Sequence, residues 1–171
     1  AKNIARWQGE PVAVVIANSR AQAEDALELI EVDWLEKDAQ VDMETALDPN
    51  AVIIHSELGN NLFWTRTVNQ GDVDKAFKEA DAVVETTLDF ARHTGVTLES
   101  RGIVADWNKA ENKMTIYHNG QAPHMMQHII AKHLDLNEGL VRIISRDVGG
   151  SFGIKVHVYP DEMAVTAISK K

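Results

Sequence analysis

From Arg101 onward, turn-forming residues cut the chain into short pieces of alternating type. Asn108-Lys109-Ala110-Glu111-Asn112 separates two strand-like runs, 101–107 and 113–118, and reads as a hairpin connection. Asn119-Gly120 ends the second run. Pro123 stands where a first helical turn accepts proline, and Met126, Ile129, Ile130 and His133 recur at helical spacing to about Leu134. A third strand, 140–145, delivers the chain into Asp147-Val148-Gly149-Gly150-Ser151-Phe152-Gly153-Ile154-Lys155. Pro160-Asp161-Glu162 then opens a helix with carboxylates at its positive end. Strands and helices in this order predict an α+β fold.

The first half is less regular. Pro11–Ala17 (PVAVVIA) is an apolar, β-branched run with the length of a buried strand, and Gly9-Glu10 supplies the turn before it. Ser19 reads as a helix N-cap, with Ala23, Ala26, Leu27 and Ile30 along one face of a helix over 20–30. Glu31–Leu35 alternates as a half-buried strand does. From Glu36 to about Leu62 the patterning fails, which marks the best candidate for a linker. Asp72 then caps a short helix carrying Val73, Ala76, Phe77 and Ala80, and 82–91 reads as a long strand.

With 44% hydrophobic and 25% charged residues in 171, the composition is that of a folded globular chain. A formal charge of -9 argues against nucleic acid, which requires a basic face. The absence of cysteine excludes a disulfide framework, a thiolate metal site and a cysteine nucleophile within this chain. No apolar run is long enough to span a bilayer, and the start lacks a signal-peptide layout, so the expected location is cytoplasmic. Both ends read as cut, and the chain is expected to be a fragment of something larger.

Three glycines among residues 149–153 leave backbone N–H groups open to close approach, so they can form a concave nest for an oxyanion or for a cofactor's polar edge, with Phe152 as an aromatic wall. A plain turn between two elements is the competing reading. Gln121, just after the strand end at Asn119-Gly120, lies at the sheet rim, where its amide can both donate and accept without adding charge. Helix capping or plain solvent exposure would account for it as well.

Asn119-Gly120-Gln121-Ala122-Pro123-His124 followed by the glycine run resembles the molybdenum hydroxylases, the family of xanthine dehydrogenase, aldehyde oxidase and carbon monoxide dehydrogenase. Gly9–Ala17 and Leu98–Asp106 (LESRGIVAD) fit the same family, as does the spacing between Gln121 and Phe152. The resemblance implies that residues 1–55 end an α/β hammerhead domain, 56–68 form a linker and 69–171 begin the molybdopterin-binding domain. It implies that Gln121 hydrogen-bonds an oxygen ligand of molybdenum and that Gly149, Gly150, Ser151, Phe152 and Gly153 contact the cofactor. That cofactor is expected to be molybdenum-molybdopterin in its cytosine dinucleotide form, with 2Fe-2S clusters and FAD on partner subunits, in a dimer of heterotrimers. The family's reaction is hydroxylation with water as oxygen source. Its general base lies beyond this fragment, which alone is expected to be inactive.

Two departures bear on substrate. Purine-oxidising members carry glutamate after the loop lysine, where this chain has Val156, and Ser151 replaces a more usual glycine. The variant looks closest to carbon-monoxide-dehydrogenase-like members that oxidise aldehydes and N-heterocycles. A non-catalytic scaffold or assembly domain is the alternative. His124 and His128, spaced i, i+4, could face one metal ion, but no third ligand is evident, and no metal site is expected in the chain itself. Asp161 and Glu162 are accounted for by the helix dipole, and the Arg92-His93 pair by solvation.

Overall fold

The computed structural model describes residues 3–171. They divide into two compact units, one built from the residues up to Gln8 and from Val12 to Asp89, the other from Gly9–Pro11 and Phe90–Lys171.

The second unit carries a three-stranded sheet in the order β1 (Ile103–Asn108), β2 (Lys113–His118), β3 (Val141–Ile144). β1 and β2 pair antiparallel, with Ile103 opposite His118 and Trp107 opposite Met114. Their polar turn forms because the Asn108 side chain accepts from the N–H groups of Ala110 and Glu111 at 3.0 and 3.1 Å, while Asn112 adopts φ 52. β3 lies parallel to β2, and the crossover between them is the helix α3 (Pro123–Leu134). Pro123 occupies the first turn of α3. Asp135 ends the helix in the left-handed region, and Leu136 donates its N–H to the carbonyl of Ala131 at 2.9 Å as its side chain turns into the core.

Alternation along each strand decides which face is covered. Met114, Ile116 and His118 on β2 are buried, as is Val141 on β3, and Met114, Ile116 and Val141 pack with Met126, Ile130 and Ala131 of α3. Full burial of Ile116, Ile130 or Val141 contributes about 1.5–3 kcal/mol each. The helix α4 (Pro160–Lys170) joins the same layer. Ser169 Oγ donates to Ala105 O at 3.0 Å, and the Lys170 ammonium donates to Leu134 O at 2.8 Å while lying over the Trp107 ring. The result is a mixed α+β layer pair with both helices on one face of the sheet.

In the first unit, α1 (Arg20–Leu27) starts where Ser19 accepts from Gln22 N–H at 3.3 Å, and α2 (Val73–Glu79) where Asp72 accepts from Lys75 N–H at 3.0 Å. Helix α1 stops three residues short of the expected Ile30. The stretch 36–62 is ordered by side chains: Asn61 accepts from Ile54 N–H and donates to the carbonyls of Ala46 and Val52, each at 2.9 Å, next to a 3-10 turn over Ser56–Leu58. The strands expected over 11–17, 31–35 and 82–91 join no ladder among the described residues. A strand is stable only when its N–H and C=O groups meet a neighbour and one face is buried. Here Ile16, Val84, Leu88 and Phe90 stay largely exposed.

Candidate functional site

The site begins at the C-terminal end of β2. His118 is buried, Gly120 is buried and Gln121 emerges exposed. A Cβ on Gly120 would lie 2.3 Å from the His118 ring and 3.3 Å from Lys155 O, so this position is closed to any side chain. Ser145, just past β3, donates its hydroxyl to Gly120 O at 2.8 Å. Asn119 holds the entry to β1 by donating to Ser100 O at 2.7 Å and accepting from Gly102 N–H at 2.9 Å. The rim is therefore fixed from three sides, and Gln121 N–H completes it by donating to Lys155 O at 3.1 Å. That bond joins the glutamine to the C-terminal end of the glycine loop, a segment well separated from it in the sequence.

Within the loop, Gly150 (φ 91) donates its N–H to Val148 O at 2.9 Å, and Ile154 to Ser151 O at 3.0 Å. Phe152 (φ 48) and Gly153 (φ 86) also take left-handed backbone. For phenylalanine that conformation costs roughly 1–3 kcal/mol, a strain typical of functional loops. Its ring projects from the protein at 76% exposure. The N–H groups of Ser151, Phe152 and Gly153 meet no acceptor among the described residues, and neither does the Gln121 side-chain amide.

Behind the loop, Lys155 is buried with its ammonium 2.7 Å from Glu99 Oε2, and the same oxygen accepts from Gly149 N–H at 2.7 Å. The Lys155 hydrogen bond, followed by the Gly149 N–H, holds the Glu99 carboxyl below its ordinary pKa. A second cluster lies under the rim. Glu162 Oε1 is 2.9 Å from His118 Nε2 and accepts from Arg101 at 2.7 Å, while its Oε2 accepts from Tyr159 N–H at 3.0 Å. Burial pushes the Glu162 carboxyl up, but His118, the Tyr159 amide and Arg101 outweigh it, and the net direction is down. Arg101 also pairs with Asp161 at 2.9 Å and lies 3.9 Å from the centre of the Tyr159 ring.

Sequence reasoning singled out Gln121 and residues 149–153, and the fold links Gln121 to Lys155 at the end of that loop. It missed Glu99, Arg101, His118 and Lys155 as a supporting layer, and it assigned Asp161 and Glu162 to the helix dipole alone. A lysine inside an otherwise small and apolar loop was the available signal. His128 pairs instead with Glu138 at 2.7 Å on the surface, and His124 lines an open groove with Lys113 and Arg142. Among the described residues no group of three or more His, Cys, Asp or Glu could hold a metal ion. His93 stacks edge-on against Phe90 with ring centres 5.0 Å apart.

The chain belongs to the molybdopterin cofactor-binding domain family, whose model matches residues 54–171. It is 35% identical over 99% of its length to the nicotine 6-hydroxylase large subunit of Paenarthrobacter nicotinovorans, and 30% identical over 90% to the carbon monoxide dehydrogenase large chain of Hydrogenophaga pseudoflava. It spans 21% of each of those proteins. Quinoline 2-oxidoreductase from Pseudomonas putida 86 superposes with a TM-score of 0.77 at 29% identity, covering 90% of this chain and 19% of that one. No helix among the described residues is long and apolar enough to cross a membrane.

Proposed function

We propose that the chain is the part of a molybdenum hydroxylase large subunit that contacts the cofactor through Gln121 and residues 149–153. The observation that carries this reading is the 3.1 Å hydrogen bond from Gln121 N–H to Lys155 O, which holds an exposed neutral amide beside a loop with uncommitted donors. These residues fit a molybdopterin group. Ser151, Phe152 and Gly153 offer N–H groups to a polar edge, and no side chain at 150 or 153 obstructs approach.

Bound there, the group supplies the oxidation of an aldehyde or N-heterocycle with water as oxygen source. The chain's own residues orient it. Gln121 donates and accepts without adding charge, and Phe152 offers an exposed aromatic face beside the loop. The general base is expected from outside residues 1–171. Val156 in place of glutamate disfavours a purine, and the names of two relatives, a nicotine hydroxylase and a quinoline oxidoreductase, favour an N-heterocycle. The cytosine dinucleotide form, 2Fe-2S and FAD on partner subunits, a dimer of heterotrimers, the hammerhead assignment of 1–55 with a linker at 56–68, and a cytoplasmic location belong to the same reading.

The experiment is to purify the intact subunit with its partners and assay aldehydes, N-heterocycles and carbon monoxide in wild type and Gln121→Ala. Turnover of an N-heterocycle or aldehyde that falls in the variant while the fold persists supports the reading. Unchanged turnover removes Gln121 from the site.

A further inference from the structure

Lys155 is the largest of the fully buried side chains among the described residues. A buried ammonium is costly unless it is paired and hydrogen-bonded. Its partner is Glu99, whose Oε2 receives both Lys155 Nζ and Gly149 N–H at 2.7 Å. The Lys155 carbonyl receives Gln121 N–H. A single residue therefore reaches both segments: its side chain secures the entrance of the glycine loop, and its main chain secures the glutamine. Gly149 lets the carboxylate come this near, because a Cβ there would sit 2.6 Å from Glu99 Cβ.

We infer that Lys155 and Glu99 are positioning residues that lock the glycine loop and Gln121 in register, presetting the donors on both. The inference rests on the reading that these two segments hold the cofactor. Stability alone is a poor explanation for the arrangement, since a buried ion pair contributes little net stability compared with apolar packing. Its two reaches end at the two segments that present free donors.

Hydrogen exchange on the intact subunit in its complex, read with cofactor and after its removal, tests the coupling in Lys155→Met, Lys155→Arg and Glu99→Gln. Exchange at the hydrogen-bonded amides of Gly149 and Gly150 is expected to rise about tenfold in Lys155→Met and Glu99→Gln, as for loss of one charge-assisted hydrogen bond. The Gln121 amide accelerates in Lys155→Met, strands β1 and β2 keep wild-type protection, and Lys155→Arg, which retains the charge, restores protection in part. Molybdenum content per subunit falls in the two charge-removing variants. A rise spread evenly over β1 and β2, no rise at Gly149 and Gly150, or a loosened loop with undiminished molybdenum overturns the inference. Glu99→Gln, at a half-exposed position, keeps the test decisive if Lys155→Met does not fold. A wild-type complex without molybdenum would defeat the cofactor reading, and exchange in that same protein would still decide the coupling.

Discussion

His118 Nε2 and Glu162 Oε1 lie 2.9 Å apart, joining the end of β2 to the first turn of α4 next to Gly120. Glu162 also accepts from Arg101 and Tyr159, so its removal leaves the buried His118 ring without its partner and takes one acceptor from each of the other two. Glu162→Ala is expected to destabilise the fold by about 3–5 kcal/mol, the cost of breaking a buried pair from one side. Denaturant unfolding monitored by circular dichroism checks this.

The pH dependence follows from two carboxyls. Glu99 and Glu162 both have folded-state pKa values below their ordinary one, so the unfolded state takes up protons first as pH falls. Their contribution is complete above the ordinary glutamate value, about 4.3, and is lost as pH drops below it toward the folded values. Urea midpoints measured downward from neutral pH should hold steady and then decline in that acid range, less steeply in Glu99→Gln.

Gly120→Ala should destabilise the rim. The added methyl would meet a His118 ring pinned by Glu162, an overpacking expected to cost about 1–3 kcal/mol. Thermal unfolding reads the loss, and Ser145→Ala, which removes only the hydroxyl bond to Gly120 O, should cost less.

Phe152→Ala separates placement from packing. The ring is mostly exposed. Stability should change by no more than about 0.5 kcal/mol, as at other surface positions. Turnover of the intact enzyme should fall, and an unchanged rate would remove Phe152 from the site.

The second unit was legible because its elements are bounded by local signals. Asn108–Asn112, Asn119-Gly120, Pro123 and Pro160 each act within a few residues, and the strands between them alternate toward one face. In the first unit the helices capped by Ser19 and Asp72 were legible in the same way, but the apolar runs at 11–17 and 82–91 satisfy a strand's pattern without a neighbouring strand to pair with among the described residues. The candidate site divides the same way. Gln121 and the glycines announce themselves by type and spacing, whereas Glu99 meets Lys155 across 56 residues and His118 meets Glu162 across 44. Such pairs follow from tertiary packing, which no local pattern encodes.

The central claim is that Gln121 and the 149–153 loop form part of a molybdenum cofactor cradle. Metal and pterin analysis of the intact subunit, purified with its partners as wild type and as a Gln121→Ala, Phe152→Ala double variant, addresses it most directly. The account predicts molybdenum and a pterin in the wild-type complex and a clear loss of both in the double variant. A wild-type complex lacking both, or a double variant that retains them in full, would contradict it.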